Sequence, residues 1–127
     1  MQEIHKTYSI VASQAKVYAA LTEPTQIERW TGAPASMDLT VGGAFSFWNG
    51  DILGINRFVS PDRLEQDWKV AAWDAYSVCV LVLREVGAQT EVELFHRQVP
   101  ESAIASIRQG WDEYYFGPLK ALLEAGE

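Results

Sequence analysis

The sequence predicts an α+β protein. One strongly curved antiparallel sheet of about six to seven strands should wrap around a long C-terminal helix, with two short helices after the first strand. Three observations lead there. An alternating N-terminal segment precedes two helix-compatible stretches. A series of strand-like runs then follows with turn residues between them and no helical spacing. The C-terminal stretch switches to apolar residues three and four apart. Such a succession favours a helix laid across one face of an antiparallel sheet.

Each element has a local reason. From Glu3 to Val11, Ile4, Lys6, Tyr8 and Ile10 alternate with His5, Thr7, Ser9 and Val11, which is strand periodicity. Ser13 offers an N-cap for a helix over Gln14 to Glu23, where Val17 and Leu21 stand four apart. Thr25 offers a cap for a short second helix, Gln26 to Thr31, that Gly32 ends. Ser36 to Val41 reads as a strand, with Gly42-Gly43 as a turn. Ala44 to Trp48 and Asp51 to Val59 flank Asn49-Gly50, the strongest hairpin signal in the chain. After Ser60-Pro61-Asp62, Leu64 to Val70 alternates plainly. Tyr76 to Leu83 is almost continuously apolar, as a central strand should be. Glu85 to Gln89 turns, and Thr90 to Val99 is the last strand. Ile104, Ile107, Trp111, Tyr114, Pro118 and Leu122 then mark a helical face. Pro118 should either kink this helix or open a second helical segment after Gly117.

Composition narrows the function. With 127 residues the expectation is a single domain over 1–127, able to bury its own core. The net charge of −7 and the scattered lysines and arginines weigh against a nucleic-acid partner. The longest wholly apolar run, Val78 to Leu83, is six residues, too short for a membrane span of about 20. No signal-peptide pattern opens the chain, so a cytoplasmic location is expected. The single cysteine, Cys79, sits in an apolar strand and should be a buried, unreactive thiol. His5 and His96 lie far apart with no metal-ligand spacing, so no metal or cofactor is expected.

Several pieces together carry a resemblance. The stretches ALTEPTQIERWTGAPASMDLTVGGAFSFWNGDILGINRFVSP, LEQDWKVAAWDAYS, TEVELFHRQVP and RQGWDEYYFGPLK cover the chain from about residue 4 to residue 124. In order and spacing they resemble the C-terminal domain of the activator of heat-shock protein 90 ATPase. That family lies within the START-like superfamily (SRPBCC, birch-pollen-allergen-like). The resemblance implies a helix-grip fold. It also implies two kinds of partner: a small ligand held between sheet and helix, or a homologue of heat-shock protein 90. The eukaryotic activator carries a separate N-terminal domain; the resemblance here is to the C-terminal domain, and a single-domain member of the bacterial kind is expected. The Gly117-Pro118 pair departs from the uninterrupted terminal helix such a domain would have.

Function turns on the aromatic residues, five each of Trp, Tyr and Phe. Phe45, Phe47, Trp68, Trp111, Tyr114 and Tyr115 should approach the sheet–helix interface. Each ring can pack the core or line a pocket. Val80, on the central strand, joins them as a cavity residue, and a Trp there should fill the space. Asn56, Gln66 and His96 fall on inferred inward faces and must find partners inside. They could orient a ligand or form a satisfied core network. Glu65, Asp67, Glu91 and Glu93 should form the solvated face of the sheet, or a docking surface for a basic patch.

Three functions follow. The first is a non-enzymatic module holding a small hydrophobic or amphipathic ligand in a cavity of ~300 Å³ or more. The second is a co-chaperone-like interaction domain. The third is an enzyme of the superfamily's cyclase or hydrolase kind, which would need His96 or a carboxylate poised in the cavity. No nucleophile, metal or phosphate-binding motif supplies such a constellation, and no catalytic residue is assigned.

Overall fold

The computed structural model describes residues 2–125. It contains one seven-stranded antiparallel sheet in the order β1-β7-β6-β5-β4-β3-β2. The strands are β1 (Gln2–Ile10), β2 (Ser36–Met37), β3 (Ala44–Phe47), β4 (Ile52–Ser60), β5 (Arg63–Val70), β6 (Ser77–Val86) and β7 (Gln89–Val99). Consecutive strands from β2 to β7 pair in sequence, as short turns dictate. β1 closes the far edge by pairing with β7.

Two helices follow β1. Ser13 caps α1 (Gln14–Thr22), its hydroxyl accepting from the Lys16 backbone N–H. Helix α2 spans Pro24–Thr31 and starts two residues earlier than its Thr25 capping signal implies. Pro24 occupies its first turn, where a missing N–H leaves no bond unmade. Gly32 ends it in the left-handed conformation. The strand expected over Ser36 to Val41 shrinks to Ser36–Met37. Asp38 is the reason: its carboxylate accepts from both the backbone and the hydroxyl of Thr40, turning the chain locally instead of extending it. The loop is then pinned to β4 by Gly42 N–H to Asn56 O and Asn56 N–H to Gly43 O. The β6–β7 turn narrows to Gly87 and Ala88, with Val86 paired to Gln89.

From Glu101 to Glu124 the chain is helical throughout. A 3-10 turn (Glu101–Ala103) leads into α3 (Ile104–Gly110), a π-helical segment (Trp111–Phe116) and α4 (Gly117–Glu124). The new helical segment opens at Gly117, with Pro118 in its first turn. The π segment has a physical cause. Pro118 cannot donate to the Tyr114 carbonyl, and its ring would clash there in α register. Gly117 instead donates to the carbonyl of Asp112, five residues back. A Cβ at Gly117 would lie 2.5 Å from that same oxygen, so only glycine fits.

One extra residue in the turn re-phases the helix. Its buried face is Trp111, Tyr115, Phe116, Leu119 and Leu123, not the predicted set continuing through Tyr114, Pro118 and Leu122. Tyr114 is turned outward and is 61% exposed.

The core fills the space between sheet and helices, with Ile4, Ile10, Leu64, Leu81 and Leu94 facing Val17, Ile27, Phe116 and Leu119. The C-terminal helix also closes the β1 edge. Lys120 Nζ donates to Ser9 O at 2.7 Å, and Val11 N–H donates to Glu124 at 2.9 Å. Covering an edge strand removes a site for unwanted pairing. Gly54 has a packing role. The Phe45 ring lies so close across the β3–β4 pair that a Cβ at Gly54 would sit 2.1 Å from it and 2.3 Å from Asp67 O. Gly54→Ala should lower the unfolding free energy by about 2 kcal/mol or more through overpacking. Urea denaturation measures it, and a change below about 0.5 kcal/mol would refute the tight packing.

Candidate ligand cleft and its support

Between the β3–β4 turn, β5 and the C-terminal helix lies a cleft of about 360 Å³. One wall is Trp48, Asp51 and Ile52, on and after the turn. Trp68 of β5 forms its base. The other wall comes from Ser106, Ile107 and Gly110 of α3 and Trp111, Tyr114 and Tyr115 of the π segment. Its mouth opens to solvent between exposed Asp51, Ser106 and Tyr114.

The turn is strained where it meets the cleft. Trp48 and Asn49 both take left-handed conformations, with φ of 53° and 55°. Asn tolerates this region, but a bulky residue there costs roughly 1–3 kcal/mol. The strained backbone sets the Trp48 ring against Trp30, Phe47 and Tyr115.

Opposite, a buried chain of hydrogen bonds holds Trp111 and Trp68. Trp111 Nε1–H donates to His96 Nδ1 at 3.0 Å, and His96 Nε2 lies 2.7 Å from Ser77 Oγ. Ser77 in turn donates to the Trp68 carbonyl. An indole N–H can only donate, so Nδ1 must accept, and Nε2 must carry the proton given to Ser77. His96 is thereby fixed as the neutral Nε2–H tautomer. Burial pushes its pKa down to about 3, because the imidazolium would lose its hydration. A proton on Nδ1 would also face the Trp111 donor. With both nitrogens engaged, His96 has no free lone pair to act as a base on a ligand.

A second clasp secures the π segment. Asp112 accepts from Lys6 Nζ and from the Tyr8 hydroxyl, each at 2.7 Å. These hydrogen bonds hold its carboxyl below the usual range. Burial, reinforced by the Asp112 carboxylate, pushes the Tyr8 hydroxyl up. The Tyr8 ring stacks on Phe116 at 4.2 Å.

The ten residues expected in the cavity divide. Trp68, Trp111, Tyr114 and Tyr115 line the cleft, although Tyr114 does so from its exposed mouth. Phe45 and Phe47 are buried in the core, Phe47 stacking behind Tyr115 at 5.7 Å. Asn56 and Gln66 form a closed network: Gln66 donates to Asn56 Oδ1 at 3.0 Å, and Asn56 donates to Asp38 O at 2.7 Å. His96 lies beneath the two tryptophans, supporting the cleft without lining it. Val80 belongs to the opposite face, since strand alternation turns Cys79 and Leu81 inward and leaves Val80 between Glu65 and Phe95. A Trp at Val80 would not reach the cleft. Cys79 is buried, and burial pushes its thiol up.

Trp48, Asp51, Ile52, Ser106, Ile107 and Gly110 escaped sequence reasoning. One signal was available for Gly110, a glycine inside a helical pattern. On the outer face, Glu65, Asp67, Glu91 and Glu93 each pair with a neighbour: Arg63, Arg57, Arg84 and His5. Among the described residues no group of His, Cys, Asp and Glu could hold a metal ion. Nor is any helix among them long and apolar enough to cross a membrane.

The model of the family described as "Activator of Hsp90 ATPase homolog 1-like protein" matches residues 11–124. The chain belongs to this family. It is 24% identical to the mouse Activator of 90 kDa heat shock protein ATPase homolog 1 over 115 residues, 88% of this chain and 34% of the mouse protein. It thus spans about a third of the length of the named relatives it matches. Its fold is that of an Hsp90 activator from Plasmodium falciparum (TM-score 0.92, 23% identity, 98% and 97% of the two chains). It is equally that of the Aha1 dimer from Colwellia psychrerythraea (TM-score 0.85, 23% identity, 100% and 99%). CalU16 from Micromonospora echinospora shares it at 29% identity, with a TM-score of 0.82 over 95% of this chain and 73% of that one. The sheet gripping a long terminal helix is thus the family's helix-grip fold.

The neutral histidine sets a pH dependence. In the unfolded chain His96 takes a proton near pH 6.5, whereas the folded protein resists it down to about 3. Its contribution to stability is therefore complete above pH 6.5 and is lost as pH falls toward 3. Between pH 7 and pH 5 the unfolding free energy should drop by about 2 kcal/mol. Urea titrations at the two pH values measure this. Nitrogen chemical shifts should show His96 still neutral and protonated on Nε2 at pH 5; an imidazolium there would contradict the bonding pattern.

Proposed function

We propose that this protein is a binding module that takes a small apolar or amphipathic ligand into the cleft beside its C-terminal helix. The observation that carries this reading is Gly110. It sits inside the helix with ordinary helical dihedrals, φ −62° and ψ −35°. A Cβ there would meet nothing closer than Tyr114 at 3.9 Å, so packing does not demand glycine. Glycine in a helix interior costs about 1 kcal/mol relative to alanine. What its missing side chain does is leave the cleft open. The volume of about 360 Å³ falls in the range of small-molecule sites. The aromatic walls suit a flat apolar body.

The test is a thermal-shift screen against small lipophilic and aromatic compounds, with tryptophan fluorescence read in parallel. A ligand at about 100 times its Kd should add ~2.7 kcal/mol of stability. Gly110→Leu should fold as stably as the parent or more so, yet lose the ligand-induced shift. Compounds that stabilise parent and variant equally would remove the cleft from the reading.

The family match supports a second reading, a co-chaperone that acts on a homologue of heat-shock protein 90. It predicts that the purified chain binds such a chaperone and raises its ATPase rate. No binding and no rate change would end that reading. It would leave the first untouched.

A further inference from the structure

The cleft combines two features that select among ligands. Its aromatic surfaces come from Trp48, Trp68, Trp111, Tyr114 and Tyr115. Among the described residues, the one charged residue lining it is Asp51, and no lysine or arginine does so. Among the described residues the Asp51 carboxylate has no ion pair or side-chain hydrogen bond, although its backbone N–H and C=O are engaged with Trp48 and Ala71. The carboxylates of the outer sheet face differ in this respect, since Glu65, Asp67, Glu91 and Glu93 are all paired.

Ring faces carry negative electrostatic potential and attract cations, tryptophan most strongly. An unpaired carboxylate at the same mouth adds a second attraction of the same sign. It would repel an anionic headgroup and gain nothing from a neutral one. The chain's net charge of −7 favours the approach of a cation over that of an anion. We infer that the cleft is selective for organic cations: an aromatic or lipophilic amine or quaternary ammonium compound, with its flat body between the rings and its charge at the Asp51 mouth. This rests on the binding-module reading above and specifies the ligand class.

A matched trio of probes tests it by calorimetry: naphthylmethyl trimethylammonium, its neutral isostere neopentylnaphthalene, and naphthylmethane sulfonate. The cation should bind at least about tenfold more tightly than the neutral isostere, and the sulfonate weakest of the three. Asp51→Asn keeps the backbone bonds and lies at an exposed position. It should cut the cation's advantage to within about threefold while leaving the Kd of the neutral compound unchanged. Raising the salt concentration should weaken the cation alone. Neutral and cationic probes binding equally would overturn the charge inference and leave the binding module standing. So would an Asp51→Asn variant that weakens both alike. Failure of all three to bind the parent protein would overturn both.

Discussion

A single missing hydrogen sets the geometry of the C-terminal helix. Pro118 has no N–H, and an α-helical ladder through it would leave the Tyr114 carbonyl unpaired and crowded by the pyrrolidine ring. The chain resolves this with a wider turn before the proline. Gly117 reaches the Asp112 carbonyl, and a glycine is needed because that oxygen occupies the place of a Cβ. The extra residue moves the buried stripe forward by one position, from 114, 118 and 122 to 115, 119 and 123. Tyr115 and Phe116 then enter the core together, and Tyr114 swings to the cleft mouth. Asp112, carried outward on the same turn, meets Lys6 and Tyr8 on β1. Helix phase, edge-strand clasp and cleft wall all follow from one departure from α geometry. π segments of this kind are frequently found at functional sites.

The interface beneath that turn is polar at its centre. His96, Ser77 and the indole of Trp111 form a chain in which every donor has an acceptor and the tautomer is fully determined. A hydrocarbon at position 96 would leave the Trp111 N–H without a partner, a cost of roughly 1–3 kcal/mol. The directional bonds do more than satisfy polarity. They fix the rotation of Trp111 and tie it to the Trp68 carbonyl through His96 and the Ser77 hydroxyl. Apolar contact alone is non-directional and would fix neither.

Strand number, the succession of strands from β2 to β7 and the helix–sheet arrangement were legible because they rest on local signals, whereas the β1–β7 pairing has none. Period-two alternation, Asn49-Gly50 and the Ser13 cap speak for themselves within a few residues. The cleft was legible only in part. Trp68, Trp111 and Tyr115 stood out as large rings on inward faces. Val80 misled because a fully apolar strand hides its own alternation: with Val78, Val80 and Val82 as apolar as Cys79, Leu81 and Leu83, nothing marks the inward side. Its burial is real but belongs to the outer face. Tyr114 misled because an α-helical period was carried through a turn that is not α. The β2 strand was overextended because Asp38 competes for the backbone of Thr40, a contact that periodicity does not register. Trp48 and Asp51 were invisible as site residues because turn positions have no face until the turn type is known.

Two local departures from stability and one carboxylate surround the same space. Trp48 holds a left-handed backbone that suits small or amide residues. Gly110 weakens a helix where a side chain has room. Among the described residues Asp51 has no ion pair at the mouth, while Glu65, Asp67 and Glu91 of the outer face are matched with arginines. The Trp48 conformation sets its ring on the core against Trp30, Phe47 and Tyr115, whereas no close contact demands a glycine at Gly110. Sequences tend to satisfy local preference everywhere except where function imposes another demand. Several unusual residues have structural explanations elsewhere: Gly54 admits the Phe45 ring, Gly117 admits a carbonyl, and His96 satisfies an indole. Trp48, Asp51 and Gly110 all line one cleft. That shared lining, together with the volume of about 360 Å³, is what supports the proposed binding role.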